Sequence, residues 1–395
     1  MKLIQFGELL KEPIRNGLTK PKSVRGHGVG MISMGEIFSH NRIFKLEMDK
    51  VPVTDKELTN CRVKPGDLLF ARQSLVLDGA GKCSIVVDAY EDTVFESHLI
   101  RARVDDTKAN PYFIYYYFNS HIGRENIKTI VEQVAAAGIR GSDLVRLYVP
   151  CPEIKIQNQI VGILNAIDSK IELNQKINDN LYDLVNTLYT KLFKDTDCEM
   201  TTLEDYVDCI YSGGTPATSN MAYWNGNLNW LSSGETRNRF VISTEKTITQ
   251  LGADNSSTKS AQKYDIVIAS AGQGFTRGQT SMLLLNTYIN QSVIVLHAKK
   301  TVLPYLFWNL TNRYDDLRAI SDSSSIRGSL TTKMLSKLKI PKVEDSLILK
   351  FSEFAWSIIP QIENNLIENK RLTDLRDSLL PKLMSGEIDV SDIQL

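Results

Sequence analysis

Leu147-Tyr148-Val149-Pro150 begins a stretch that runs to Phe193 and returns, without a gap, from Leu338-Lys339-Ile340-Pro341 to Met384. Each position of the second copy lies 191 residues after its counterpart in the first. That distance is about half the chain and far exceeds the roughly 20–50 residues of a solenoid repeat. The sequence therefore predicts one domain and its helical linker written twice. Two similar modules suit a target with two similar halves, and duplex DNA is the first such target to test.

The repeated stretch has the apolar spacing of a coiled coil. Positions alternately four and three residues apart are apolar, except for two asparagines in each copy and one arginine in the second. In the first copy they are Ile160, Leu164, Ile167, Ile171, Asn174, Asn178, Leu181, Val185, Leu188 and Leu192, and in the second Phe351, Ala355, Ile358, Ile362, Asn365, Asn369, Leu372, Arg376, Leu379 and Leu383. The four asparagines are predicted to fix register, because polar residues in such a seam lower stability but specify the pairing.

The two long helices are predicted to pack on each other. An antiparallel pair is the simplest arrangement for a duplicated chain, although the sequence leaves a parallel pair open. The alternative is two unrelated amphipathic helices in separate cores. Pro360 removes a backbone donor inside the second helix and predicts a kink there.

Composition limits the class of protein. The chain has 395 residues, with 46 basic against 46 acidic, so DNA binding requires basic residues concentrated on one face. No apolar run reaches the roughly 18 residues of a membrane helix, and the start lacks the apolar core of a signal peptide. The five cysteines form no C-x-x-C pair, which predicts reduced thiols in a cytoplasmic protein.

The predicted organisation is two globular domains, residues 1–150 and 198–342, with helical segments at 151–197 and 343–395. Short β-rich runs bounded by turns, and helices starting near Pro111 and Pro304, predict an α+β domain on a twisted mixed β-sheet. Residues 66–71 match 264–269, and 138–142 match 325–329, whereas the loops differ. Such a pattern is typical of two readers of different sequences on one scaffold.

Candidate DNA contacts in the first domain come from a glycine- and proline-containing stretch with clustered cations and one acid, Glu12. Cations on flexible backbone suit phosphates, and Arg or Lys can also read guanine edges. The alternative is a solvated loop. These candidates are Lys11, Arg15, Lys20, Lys22, Arg25 and His27, with Arg72, Gln73, Lys82 and Arg140 as secondary candidates.

Candidate contacts in the second domain lie in glycine-rich loops. Gln and Asn can pair bidentately with adenine, and Arg with guanine. Trp224 and Trp230 are equally consistent with a core role. The candidates are Thr215, Arg237, Arg239, Gln273, Thr276, Arg277 and Arg327.

The common catalytic motifs do not fit. Gly79-Ala80-Gly81-Lys82-Cys83 departs from a phosphate loop, because Val76 replaces its first glycine and Cys83 its Ser or Thr. Gly272-x-Gly274 is followed by glycine at 278 rather than 277, so it misses the dinucleotide fingerprint. The five histidines show no metal-binding spacing. The chain is therefore predicted to have no catalytic, cofactor or metal site of its own.

The chain resembles the specificity subunit of type I restriction–modification systems. The resemblance is carried by Gly213-Gly214-Thr215-Pro216 with Tyr223-Trp224, by the doubled segments 160–193 and 351–384, and by Leu379-Leu380-Pro381-Lys382-Leu383-Met384-Ser385-Gly386-Glu387-Ile388. It covers essentially the whole chain. One departure is that the second copy has Pro360 and Arg376 in its seam region, so the packing there is expected to be looser or to be shaped by a partner subunit.

The resemblance implies two target-recognition domains, each reading one half of a bipartite site in double-stranded DNA. It implies that the helices set the spacer and dock two modification (methyltransferase) subunits, which restriction (translocase and nuclease) subunits join. S-adenosylmethionine, ATP and Mg²⁺ would be used by those partners, and no membrane is involved. The rival interpretation is a coiled-coil protein–protein scaffold without nucleic acid, which the neutral charge favours and the basic loop disfavours.

Overall fold

The computed structural model describes residues 2–133, 137–193, 199–322 and 328–391. The chain divides into two compact units, one formed by residues 1–170 and 372–395 and the other by residues 171–371. The division runs through both long helices. Each unit therefore combines one globular domain with parts of both helices.

The first globular domain contains short strands and short helices in alternation. Its strands are β1 (Leu3–Gln5), β2 (Arg15–Asn16), β3 (Val29–Ile32), β4 (Arg42–Ile43), β5 (Lys50–Val51), β6 (Asp67–Ala71), β7 (Gln73–Ser74), β8 (Cys83–Val86), β9 (Val94–Phe95), β10 (Leu99–Arg103), β11 (Glu132–Gln133), β12 (Ala137–Gly138) and β13 (Tyr148–Pro150). Its helices are α1 (Met34–Ser39), α2 (Asp55–Cys61), α3 (Pro111–Asn119), α4 (His121–Lys128) and α5 (Gly141–Leu144). The long helix α6 (Ile154–Phe193) follows.

The second globular domain repeats this plan. Its strands are β14 (Met200–Thr202), β15 (Cys209–Ser212), β16 (Trp224–Leu231), β17 (Phe240–Val241), β18 (Lys246–Ile248), β19 (Lys259–Ala261), β20 (Ile266–Ala269), β21 (Thr280–Leu283), β22 (Thr287–Ile289), β23 (Val293–His297) and β24 (Lys339–Pro341). Its helices are α7 (Gln250–Asp254), α8 (Leu303–Thr311), α9 (Tyr314–Asp322) and α10 (Thr332–Ser336). The long helix α11 (Asp345–Ser385) follows.

The two domains share a sheet topology. The main sheet has the order β2-β10-β6-β8-β4 in the first and β15-β23-β20-β21-β17 in the second. All neighbours are antiparallel except the last pair of each, β4 with β8 and β17 with β21, which are parallel. Smaller sheets are β5-β3-β9, β11-β12-β7 and β18-β16-β22-β19, and β1–β13 and β14–β24 form two-stranded pairs. The predicted α+β class with mixed sheets is confirmed.

Local sequence explains where several of these elements begin. Ser33 and Glu36 form a capping box at α1, and Ser232 and Glu235 form the same box in the second domain. Each box satisfies backbone N–H groups that a helix start would otherwise leave without acceptors. Helix α3 starts at Pro111, whose missing N–H costs nothing in the first turn.

The long helices pair antiparallel, as their asparagines demonstrate within the second unit. Asn174 Nδ2 donates to Asn369 Oδ1 at 2.9 Å, and Asn365 Nδ2 donates to Asn178 Oδ1 at 2.8 Å. Residue numbers rise along one helix as they fall along the other, so the helices run in opposite directions. Asn178 and Asn369 also donate to backbone carbonyls of the opposite helix. The amides in this seam therefore have partners, which offsets the cost of burying them.

The buried line of both helices differs from the predicted seam near the globular domains. Leu181, Leu188 and Leu192 are only half-buried, as are Ile358 and Leu379. The neighbouring residues are buried instead, namely Tyr182, Tyr189, Phe193, Ile359 and Leu380. A straight helix drifts by about 20° per heptad from a strict seven-residue repeat. The drift turns these residues towards the domain cores. Helix α11 continues without a break through Pro360.

Each unit has a core that includes its helix segments. In the first unit, Phe6 and Phe70 share a cluster with Ile160, Leu383 and Val390. In the second unit, the cluster that contains Tyr305 and Trp308 also contains Val185, Phe193 and Phe351. The helices are thus part of the hydrophobic cores and not free linkers.

A buried ionic cluster joins the first domain to its helix segments. The Asp168 carboxylate, 6 % exposed, accepts hydrogen bonds from Tyr116 Oη at 2.7 Å and Arg376 Nη1 at 2.9 Å. Arg42 Nη1 lies 3.8 Å from Asp168 and donates to Asn165 Oδ1 at 2.7 Å. Burial alone lowers the pKa of Arg376, but the hydrogen bond and charge of Asp168 outweigh it and raise that pKa. The looser seam expected at Arg376 is therefore wrong, because this side chain is held by a buried carboxylate.

The equivalent place in the second unit is apolar. The counterparts of Asp168 and Arg376, 191 residues away, are Ile359 and Val185. The counterpart of Arg42 is Phe240, because β17 takes the sheet position of β4. Ile359, Val185 and Phe240 are all buried in the core cluster of that unit.

One turn adopts the same unusual backbone in both domains with different residues. Gly66, just before β6, has φ +88°, and Tyr264, at the same position before β20, has φ +79°. A side chain in this region is strained, whereas glycine is not. The Tyr264 ring packs edge-on against Trp356 with centroids 4.8 Å apart, and this contact offsets the strain.

Candidate nucleic-acid interface

Each domain has, near its start, a chain segment that a glycine anchors to a sheet. These segments are named the first arm (residues 17–30) and the second arm (residues 213–228). A Cβ on Gly17 would lie 2.1 Å from the Phe95 carbonyl oxygen, and one on Gly213 would lie 2.1 Å from that of Ile289. No side chain fits at that distance. The glycines therefore allow both arms to cross their sheets at the same place.

Two predicted contacts in the first arm are tied down by acids. Lys20 Nζ donates to Glu57 at 2.9 Å, and Arg25 Nη1 donates to Asp49 at 2.9 Å. A backbone hydrogen bond from Thr54, together with Lys20, lowers the pKa of Glu57. These two ion pairs hold the arm in place. Because each cation is already bound to an acid, its charge is partly neutralised.

The other cations of this region point to solvent. Lys11, Arg15 and Lys22 are exposed, and within the described residues their side chains have no hydrogen bond or ion pair. His27 is also exposed and stands between Gly26 (φ +115°) and Gly28 (φ +98°). These four side chains remain available for a ligand.

A groove of about 860 Å³ lies beside His27. Gly26, Gly28, Lys50 and Tyr90 are among the residues that line it, and Tyr90 is 55 % exposed. Tyr90 offers a face on which a base can stack, whereas Lys50 shares the groove with the acids Glu47 and Asp92. Tyr90 was not among the predicted contacts, because its partners in the groove are distant in sequence.

The loop that follows β6 in the first domain, and the loop that follows β20 in the second, form another candidate surface. They are named the first tip loop (residues 72–80) and the second tip loop (residues 270–277). Both close by the same bond, from Gly81 N to Ala71 O at 2.8 Å and from Gly278 N to Ala269 O at 2.9 Å. Gln273 is exposed in the second tip loop, and Thr276 is half-buried.

The predicted contacts around the first tip loop separate into free and paired side chains. Arg72 and Gln73 are exposed. Lys82 donates to the Phe38 carbonyl at 2.9 Å, and burial lowers the pKa of this amine. Arg140 is exposed but donates to Glu132 at 2.8 Å. Arg72 and Gln73 are therefore the stronger candidates here.

Most predicted contacts of the second domain already have partners. Thr215 donates to Gln291, and Arg237 donates to Glu245 at 2.9 Å. Arg239 lies over the Tyr182 ring, with its guanidinium carbon 4.2 Å from the ring centroid. Arg277 donates to the Gly328 carbonyl and to Asp322, which makes it a support of the second tip loop. Arg327 lies outside the described residues.

Trp224 of the second arm and Trp230, two residues after the arm, hold its shape. Trp230 is buried and donates to the Gly214 carbonyl at 3.4 Å, while Trp224 donates to the Ala217 carbonyl at 3.2 Å. Lys246 lies over the Trp224 ring, 5.8 Å from its centroid. Lys246 was missed in the sequence, because only the pairing of β16 with β18 brings it to the arm.

Two further functional features are absent from the part of the chain that the structure describes. There, no group of three or more His, Cys, Asp or Glu side chains could hold a metal ion. Within the same residues, no helix combines the length and apolarity that a membrane span requires. Cys61, Cys83, Cys151 and Cys209 are free thiols, and burial raises the pKa of Cys83. Cys198 lies outside the described residues.

Comparison with known proteins gives consistent results. Residues 28–182 and 196–371 match the family of type I restriction modification DNA specificity domains. The chain is 22% identical over 440 residues to the type I restriction enzyme HindI specificity subunit of Haemophilus influenzae, covering 91% of this chain and 94% of that protein. It is 25% identical over 254 residues to the EcoR124I/EcoR124II specificity subunit of Escherichia coli, covering 60% of each.

A solved structure supports the fold. The S subunit of a type I restriction–modification system from M. genitalium matches with a TM-score of 0.61 at 16% identity, covering 97% of this chain and 95% of that one. The duplicated α+β domains and the paired long helices therefore belong to an observed architecture. With two matched segments that together span most of its length, the chain belongs to the family of type I restriction modification DNA specificity domains, and its function is DNA sequence specificity through two target-recognition domains.

Proposed function

We propose that the two domains read two different half-sites of one bipartite, asymmetric DNA sequence. The observation that carries this proposal is a shared framework with unlike arms. Gly17 and Gly213 start the arms at the same place on their sheets, after which the chemistry diverges. Different side chains on one scaffold read different base sequences.

The divergence of the arms is one of charge and size. The first arm carries Lys20, Lys22 and Arg25, whereas Pro216 and Thr218 stand at the aligned positions of Lys20 and Lys22 in the second. The chain from the arm's glycine to the capping-box serine is three residues longer in the second domain, and the second arm presents exposed asparagines. Cations favour phosphates and guanine, while amides favour adenine. The two half-sites should therefore differ in sequence.

The proposal assigns phosphate and base contacts first to exposed side chains for which the described residues supply no partner. These are Lys11, Arg15, Lys22, His27, Arg72, Gln73 and Gln273. Lys20, Arg25, Lys82 and Arg277 then act by holding the loops that present them. A rigid loop loses less conformational entropy on binding, which favours affinity.

The helix pair is proposed to set the spacer and to dock two copies of a methyltransferase subunit. Leu184 of α6 is 51 % exposed, and its repeat counterpart Leu375 of α11 is 47 % exposed. Each is followed on the same helix face by a hydroxyl residue and a lysine, Thr187 and Lys191 in α6 and Ser378 and Lys382 in α11. A surface repeated with the same chemistry suits one partner protein bound twice.

The chemistry is proposed to belong to partner subunits. Methyl transfer to adenine from S-adenosylmethionine, and ATP- and Mg²⁺-dependent translocation and cleavage, would then occur on modification and restriction subunits. This chain would contribute recognition alone, in the cytoplasm where its DNA target lies.

The test is genome-wide mapping of methylated adenines in cells that contain the modification subunit, with and without this chain. We expect one bipartite, non-palindromic motif to disappear when the chain is absent. A matched variant, Lys22→Gln with His27→Gln in the first arm, should alter one half-site only. An unchanged set of motifs would contradict the proposal and favour the scaffold interpretation.

Docking requires its own control. Leu184→Ala with Leu375→Ala should weaken co-purification of the modification subunit, while Leu3→Ala, at an exposed leucine of β1, should not. Retained co-purification in the double variant would remove the helix surfaces around Leu184 and Leu375 from the proposal. The proposed role of the recognition domains would not be affected.

A further inference from the structure

Both tip loops present a large apolar side chain to solvent. Leu75 is 98 % exposed and Val76 63 % in the first tip loop, and Phe275 is 82 % exposed in the second. The two loops occupy equivalent positions, after β6 and β20, although they differ in length and sequence. A single exposed apolar side chain is common on protein surfaces, but large ones at the same place in both domains, on loops of different sequence, point to a bound state that covers them.

The tip loops are held in position by arginines from equivalent helices. Arg124 of α4 donates to the carbonyl oxygens of Asp78 at 2.7 Å and Gly81 at 2.9 Å. Arg318 of α9 donates to the Gly274 carbonyl at 2.6 Å. Tyr314 Oη donates to the Phe275 carbonyl at 3.0 Å. The loops are thus pre-organised, and their apolar tips are not a by-product of disordered chain.

The chemistry around the tips favours DNA over a protein partner. Exposed Arg72 and Gln73 adjoin Leu75, and exposed Gln273 adjoins Phe275. A partner protein bound to both domains would need the same side chains twice, as the stripes at Leu184 and Leu375 provide. The tip loops share only a bulky apolar group beside a donor. That similarity fits two DNA half-sites of different sequence.

We propose that Leu75 and Phe275 are apolar wedges, each inserted against a base step of the half-site that its own domain reads. This inference rests on the proposed function. Side chains such as Leu and Phe, inserted between base steps, partly unstack the duplex and widen the contact surface. The adjacent Arg72, Gln73 and Gln273 then reach base edges or phosphates beside the opened step.

The test uses the full chain in complex with its modification subunits and a duplex that carries the mapped site. A series of duplexes has 2-aminopurine at successive positions, because its fluorescence rises when the base is unstacked. The adenine that the modification subunit methylates is itself flipped out of the stack and is left out of the comparison. At the remaining positions we expect a rise at one step in each half-site with the wild-type chain. Leu75→Ala should abolish the rise in one half-site and Phe275→Ala in the other, each with roughly tenfold weaker binding.

Controls separate a wedge from other roles. The salt dependence of binding should not change, because neither variant removes a charge. Phe275→Trp should retain the fluorescence rise, and Leu3→Ala should behave as wild type. Unchanged affinity and fluorescence in both alanine variants would overturn the wedge. Loss of modification-subunit binding without DNA would also overturn it and assign the tips to protein docking. If the wild-type complex does not bind the mapped duplex specifically, the proposed function fails first.

Discussion

The two domains hold their long helices by opposite chemistry. In the first unit the contact is ionic, with Asp168 between Arg42 and Arg376. In the second unit the same three places are Ile359, Phe240 and Val185, and the contact is apolar. Since strand order and helix direction are the same, the backbone does not depend on either chemistry. A buried ion pair contributes little net stability, but it tolerates the loss of a partner poorly.

The largest expected effect comes from breaking the ionic contact on one side. Asp168→Ala leaves the half-buried Arg376 and the 8 % exposed Arg42 side chain without this counter-charge. We expect a loss of about 3–5 kcal/mol in the free energy of unfolding of the first unit. Hydrogen exchange of β4 and α3 amides, against those of β17 and α8, measures it in the intact chain.

Asp377 provides the matched control for this variant. It accepts a hydrogen bond from Arg376 at 2.8 Å, but its side chain is 60 % exposed. Asp377→Ala should cost about 0–1 kcal/mol, as for other surface ion pairs. Equal effects of the two substitutions would show that burial of Asp168 is not what matters.

A second substitution set converts one contact into the other. Arg42→Phe, Asp168→Ile and Arg376→Val together copy these three places of the second unit, and Tyr116→Phe removes the buried hydroxyl that would otherwise lose its acceptor. We expect stability to remain equal or to rise by about 1–4 kcal/mol, because replacing buried ions with packed apolar groups removes their desolvation cost. Thermal unfolding of this combined variant beside the wild type measures this. A loss as large as that of Asp168→Ala would mean that the surrounding core fits only the ionic group.

The turn before β6 and the turn before β20 also differ, because the same unusual backbone conformation is adopted by Gly66 in one and by Tyr264 in the other. Gly66→Tyr places a side chain at φ +88° without a tryptophan to receive it, because the counterpart of Trp356 is Asn165. We expect a loss of about 1–3 kcal/mol, the usual cost of such a conformation. Gly35→Ala, in helix α1, should be neutral or slightly stabilising. Denaturant unfolding of both variants distinguishes strain from loss of glycine as such.

The smallest effect concerns the arms. Lys22→Gln removes an exposed cation and should lower the slope of log affinity against log salt by about 0.9, the value for one phosphate contact. Thr218→Gln, at the aligned position of the second arm, should leave the slope unchanged. Fluorescence anisotropy over a KCl series measures both. Equal slopes in the Lys22 variant and the wild type would remove this residue from the interface.

Sequence alone predicted the features that repeat and missed those that depend on distant contacts. The 191-residue offset and the shared asparagines predicted two paired helices, and Pro111 predicted the start of α3. Arg42 and Asp168 are 126 residues apart, and no periodicity links them. Lys20 and Arg277 looked like ligand contacts because charge is visible in a sequence, whereas the acids that bind them are found only in the fold.

The first unit draws its core from both halves of the polypeptide, and this has a consequence for biosynthesis. Phe6 and Phe70 are made early, but Leu383, Met384 and Val390 share their cluster and are made more than 300 residues later. The core of this unit therefore cannot close on the ribosome while its last segment is still missing. A chain that stops before Leu383 would keep this apolar surface open to chaperones and proteases.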